Sequence, residues 1–194
     1  MYPFFYRLSK MMAYLGGLML TSLVVLICLS IVGRTLNGLF HSEVAENLVP
    51  ALAAWIINIG VGPINGDFEL VEAGMAFSIF AFIPICQITA GHATVDIFTN
   101  RFSTTVNRRL SLVIDTVFAC VLVLIAIQLT EGMLSKIRTG QTTFLLEFPV
   151  WWAYALSLFG AVVSAIVAVY VAFIRLLEWK SGNAVLPQSR GAEH

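Results

Sequence analysis

From Met11 to Gly33 the chain runs for 23 residues without a charged side chain. At the helical rise of 1.5 Å per residue such a run is about 34 Å long, enough to cross the roughly 30 Å hydrocarbon core of a bilayer. The pattern recurs. Ala73 to Gly91, Leu110 to Thr130 (broken by Asp115 alone) and Pro149 to Ile174 are runs of similar length. A chain with four such runs can bury them together only in lipid or in a very large core, and 194 residues leave no room for the latter. Composition agrees: 59% of the residues are hydrophobic and 11% charged, against about 25% charged in soluble domains. The expectation is an all-α integral membrane protein with transmembrane helices near 11–33, 70–91, 110–130 and 149–174. The first run is too long for a signal-peptide core and no small-residue cleavage pattern follows it, so it is read as a permanent span.

The connections are less regular. MYPFFYRLSK reads as a short aromatic and basic segment at headgroup level ahead of the first span. Residues 47–66 carry no charge but hold Pro50, Pro63, Gly60, Gly62, Asn58 and Asn65. A short interfacial or partly embedded helix over 48–59, between spans one and two, suits them better than a fifth span. Pro84 predicts a kink in the second span. The stretch from Glu131 to Pro149 reads as a loop, and residues 181–194 as a flexible cytoplasmic tail.

Lys and Arg placement orients the four spans. Arg7, Lys10, Arg101, Arg108, Arg109, Arg175, Lys180 and Arg190 fall on one side, and only Arg34, Lys136 and Arg138 on the other. Both termini are therefore expected in the cytoplasm. The formal net charge is zero, and no basic stripe suggests nucleic acid. Cys28, Cys86 and Cys120 stand singly in three apolar runs, as small packing residues do.

Polar residues near the spans are the candidates for function, because a charge at the bilayer centre costs about 2.5 to 3.5 kcal/mol. Asp115 is the one carboxylate inside a predicted span. It lies two turns after Arg108 on the same face, which suggests an interfacial ion pair in the subunit or with a partner. His92 and Asp96, at i and i+4, share a face if the helix continues; the spacing suits a metal ion, but two ligands without a third favour a hydrogen-bonded pair at a helix end. Asp67, Glu69 and Glu72 open the second span, where carboxylates complement the helix dipole. Arg34, closing the first span on the same side, is a natural partner for Glu69 or Glu72. Gly160, Ser164 and Ala168, four residues apart, describe a small-residue seam of the kind through which helices associate in lipid.

No nucleophile with an adjacent base, no phosphate-binding loop and no cluster of intramembrane acids is legible, so no catalytic, cofactor or metal residues are assigned and an enzyme is not expected. An accessory membrane subunit fits better. A membrane anchor for a redox or other enzyme complex is the competing reading, and it would need cofactor ligands.

Several short motifs carry a more specific likeness: Arg34 closing the first span, GDFELVE from Gly66, GHATVDIF from Gly91, Asn-Arg-Arg at 107–109, and FPVWWAY from Phe148. Together, over about residues 8–178, the chain resembles the small permease subunit of tripartite ATP-independent periplasmic (TRAP) transporters, the DctQ-like family. The segment from His41 to Asn65 is longer than that likeness leads one to expect. The resemblance implies a multi-pass protein of the bacterial inner membrane. It also implies two protein partners: a large permease that holds the sodium and substrate sites, and a periplasmic binding protein that delivers an organic anion, typically a carboxylate. This subunit would brace the permease and carry no cofactor of its own. Arg34, Glu69, Glu72, His92 and Asp96 fall on the motif positions and are expected to be structural or interface residues.

Overall fold

The computed structural model describes residues 1–42, 58, 60–91 and 104–181. They form four helices: α1 Tyr2–Phe40, α2 Asp67–Ile88, α3 Thr104–Thr139 and α4 Trp151–Ser181. Each is long and apolar enough to cross a membrane. The expected interfacial helix at 48–59 and the tail at 181–194 lie almost wholly outside the described residues.

The helices overrun the uncharged segments that identify them. α1 has 39 residues and α3 has 36, about 58 and 54 Å of helix. The N-terminal residues are continuous with the first span as part of α1. Nothing between Arg7 and Met11 breaks the helix, Phe5 stacks on Tyr170 of α4 with ring centroids 4.0 Å apart, and Ser9 and Met12 are fully buried. Glu131 to Thr139 likewise continues α3 and is not loop. It contains no proline, Lys136 and Arg138 complement the dipole in the last turn, and Gly140 ends the helix with a left-handed φ of 61°.

Hydroxyls within the helices are satisfied locally, which lipid requires. Thr21 donates to the Gly17 carbonyl, Ser22 to Leu18, Thr116 to Leu112 and Thr130 to Ala126, each one turn back.

The helices pack in the order α1, α2, α4, α3, with the amino end of α1 also touching α4. Half of the most apolar window of α4 is buried and 39% of that of α2, but only 17% and 11% for α1 and α3. The middle pair therefore forms the core and the outer pair leaves most of its apolar surface uncovered. Met12 meets Phe77, Ala81 and Val163 in one cluster. Ile88, Val167 and Val171 form a second with Tyr2 and Phe5 packed on it. Ala119 and Leu122 of α3 meet Ala165 and Ala168 of α4 in a third. The amino end of α1 and the carboxyl end of α4 thus share one end of the packed helices, called here the terminal end; the opposite one is the far end.

Candidate functional site

At the far end, α1 carries Ser30, Gly33 and Asn37 on one face, three and four residues apart. Segment 60–66 crosses that face. The Asn37 side-chain amide donates to the Val61 carbonyl at 2.8 Å, and the Ser30 hydroxyl accepts the Ile64 N–H at 3.2 Å. A Cβ on Gly33 would collide with the Gly62 carbonyl oxygen, so only glycine allows the crossing backbone this close. Ser30 also donates to Asp67 Oδ2 at 2.5 Å. The segment therefore delivers the first residue of α2 to a fixed point on α1.

Arg34 joins this cluster by pairing with Asp67, at 3.8 Å, and not with Glu69 or Glu72 as the sequence suggested. Asp67 begins α2 beside Ser30, whereas Glu69 is turned elsewhere: its Oε1 accepts the N–H of Leu145 at 2.7 Å and its Oε2 that of Leu146 at 2.9 Å. Those residues belong to a hairpin between α3 and α4, closed by Thr143 N–H to the Phe148 carbonyl at 2.9 Å and Val150 N–H to the Gln141 carbonyl at 3.0 Å. Glu72 lines a cavity of about 440 Å³ behind that hairpin, with Lys136 and Tyr154 on other walls. Lys136 is held by Gln141 Oε1 at 2.6 Å.

At the terminal end, Asp115 of α3 is joined to α4. Arg175 donates from Nε to Asp115 Oδ2 at 3.1 Å and from Nη1 to Glu178 Oε2 at 3.1 Å. The Gln87 amide of α2 donates to Asp115 Oδ1 at 3.3 Å. An ion pair at Asp115 is thus present, but its cation is Arg175, sixty residues away, and not Arg108. Arg175, Glu178 and Gln87 are all buried and were not singled out in the sequence. The available signals were the i, i+3 spacing of Arg175 and Glu178 at the end of α4 and the isolated amide of Gln87 in the apolar run of α2.

The small-residue positions of α4 face its neighbours. A Cβ on Gly160 would lie 2.9 Å from Cβ of Phe80 on α2, and the Ser164 hydroxyl donates to the Phe80 carbonyl at 2.7 Å as well as to Gly160 at 2.8 Å. Ala168 is fully buried against α3. His92 and Asp96 lie outside the described residues. α2 stops short of them at Ile88: Ala90 turns left-handed with φ 50° and Gly91 N–H closes on the Cys86 carbonyl at 2.9 Å.

What the geometry offers is a set of ties between helices, at the two ends and along one seam, with no group of three or more His, Cys, Asp or Glu side chains placed to hold a metal ion among the described residues. Neither the curated proteins nor the solved structures gave a match. The family described as tripartite ATP-independent periplasmic transporters, DctQ component, matches residues 59–178. That is more than half of the chain and takes in α2, α3 and all but the last three residues of α4, beginning after α1 and Arg34. This multi-pass chain, with its four helices able to cross a membrane, belongs to the DctQ component family of tripartite ATP-independent periplasmic transporters.

Proposed function

We propose that this chain is the small membrane subunit that braces a large sodium-coupled permease, in a bacterial inner membrane, while that permease imports organic anions handed over by a periplasmic binding protein. The observation that carries the bracing role is the contrast between engaged polar groups and uncovered apolar ones. Asp115, Arg175 and Glu178 hold one another, Arg34 and Asp67 hold α1 to α2, and α1 and α3 leave most of their apolar windows exposed. A subunit with these five charges committed to its own helices and its outer helices covered on one face only has the makings of a scaffold that adds surface to a neighbour in the membrane.

In this reading both termini face the cytoplasm, in keeping with Arg7, Lys10, Arg108, Arg109, Arg175 and Lys180 at the terminal end. The far end then faces the periplasm, where the binding protein arrives. Sodium and substrate belong to the permease, and no cofactor is assigned to this chain.

The test is reconstitution with and without the subunit. The permease and binding protein are placed in vesicles under a sodium gradient, and uptake of a carboxylate substrate is followed. Loss of uptake without this chain, and recovery when it is added, is the expected result, together with co-purification of the chain with the permease. Equal uptake in its absence would remove the bracing role.

A further inference from the structure

The hairpin between α3 and α4 presents the apolar side chains at its tip to the outside. Phe144 at its tip is 92% exposed and Leu145 is 57% exposed, a costly arrangement in water for side chains of this size. The tip is nevertheless held firmly. Both carboxylate oxygens of Glu69 take the amide hydrogens of Leu145 and Leu146, and Leu146 covers Gly66, where a Cβ would strike its side chain. The clamp fixes which way the tip points and satisfies two backbone donors, which loop backbone needs before it can enter a zone poor in water.

The clamp also fixes the height of the tip. Glu69 stands four residues, about 6 Å of helix, outside Ala73, where the uncharged run of α2 begins. The headgroup layer is about 5 to 7 Å thick on each side of the hydrocarbon. Whatever lies against Glu69 is at that level. The stem of the hairpin continues into aromatic surface at the same end, with Phe148 stacked on Trp152 at 6.4 Å and Trp152 and Phe68 more than half exposed. Aromatic side chains of this kind gather at membrane interfaces, and the one charged side chain of residues 140–149 is Glu147, which follows Phe144, Leu145 and Leu146.

We propose that the hairpin over residues 140–149 is a membrane-interface anchor: Phe144 and Leu145 sit among lipid headgroups at the far end, held at that depth by Glu69. The proposal rests on the spans alone and stands apart from the transporter reading.

Depth measurement on the full chain tests it. Cys28, Cys86 and Cys120 are replaced by alanine, a single cysteine is placed by Phe144→Cys, and a nitroxide is attached. The protein is reconstituted in phosphatidylethanolamine and phosphatidylglycerol vesicles, and collisions with oxygen and with a water-soluble nickel chelate are compared. Thr139→Cys, at the polar end of α3, is the aqueous reference. The expected result is a label at 144 that favours oxygen over nickel, a label at 139 that favours nickel, and a shift of the 144 label toward the aqueous value on Glu69→Ala with helix content unchanged by circular dichroism. Phe144→Trp in brominated vesicles gives a second readout, with more quenching than the parent chain expected. Nickel access at 144 equal to that at 139 would overturn the proposal. So would lipid contact that gives way to shielding from both reagents when the large permease or the soluble binding protein is present, since the tip would then be a protein-docking surface.

Discussion

Arg175 of α4 reaches Asp115 of α3 through its Nε at 3.1 Å, and the same guanidinium holds Glu178 one turn further along its own helix. The side chains of Arg175 and Glu178 are 8% and 2% exposed, so the guanidinium stands between two carboxylates where water does not replace it. Breaking a buried pair by removing one member costs about 3 to 5 kcal/mol. Arg175→Met should lower the unfolding midpoint in detergent by that order of free energy. The neutral triple variant, Asp115→Asn with Arg175→Met and Glu178→Gln, should recover part of the loss because no carboxylate is then left uncompensated. A single variant as stable as the parent would show that the cluster contributes nothing to holding α3 on α4.

The seam on α4 makes a second prediction. Gly160→Leu forces side-chain atoms into the space of Phe80, whose Cβ lies 2.9 Å from an ideal Cβ at 160. Overpacking of this kind costs about 1 to 3 kcal/mol. Ser164→Ala removes the hydrogen bond to the Phe80 carbonyl but keeps the small volume, and interhelical hydrogen bonds in membranes average about 0.6 kcal/mol. Thermal unfolding in detergent should therefore rank Gly160→Leu well below Ser164→Ala, and the reverse order would mean that volume does not limit the α2 to α4 contact.

Two glycines of α1, five residues apart, should respond in opposite directions. Gly33→Ala places a methyl group against the Gly62 carbonyl, whereas nothing lies within 4 Å of a Cβ at Gly38. Gly38→Ala should stabilise the chain by up to about 1 kcal/mol through helix propensity. Gly33→Ala should destabilise it despite the same gain in propensity. Unfolding midpoints of the two variants check the sign.

At the far end, the coupling to look for is between Arg34 and Asp67. A double-mutant cycle of Arg34→Ala with Asp67→Ala should show interaction, and one of Arg34→Ala with Glu72→Ala should not. The pair is long at 3.8 Å and Arg34 is 59% exposed, so salt should weaken the coupling. Ser30→Ala should lower stability more than Arg34→Ala, because Ser30 is buried and serves both Asp67 and Ile64.

The spans were legible because lipid imposes a length and a polarity on each crossing, and those survive in a single sequence. The ends of the helices were not legible in the same way. Glu131 to Thr139 reads as loop because it is polar, yet polarity tells only that the chain has left the hydrocarbon, and the residues there still favour a helix until Gly140. Partners were the harder part. Local spacing pairs Asp115 with Arg108, but the cation it holds is Arg175, which only the packing of α3 on α4 brings near. The same holds for Glu69, whose carboxylate is satisfied by amides 76 and 77 residues away. The place of Arg34 near the start of α2 follows from the rule that helix ends on one side of a membrane lie near one level, while its pairing with Asp67 and not with Glu69 or Glu72 goes with Ser30, whose role is invisible in an apolar run.

The packing of the helices in series has a mechanical consequence. Four helices gathered around a common axis make a compact post, which turns and leans with equal ease in every direction. The same four packed in series, with α1 touching α4 only lightly and α3 at the opposite edge, make a broader body than such a post. Leaning it about its short axis would drag α1 and α3 in opposite senses through the bilayer, pulling their polar ends into hydrocarbon on one edge and exposing apolar turns on the other. Such a body resists that tilt more than a compact post would.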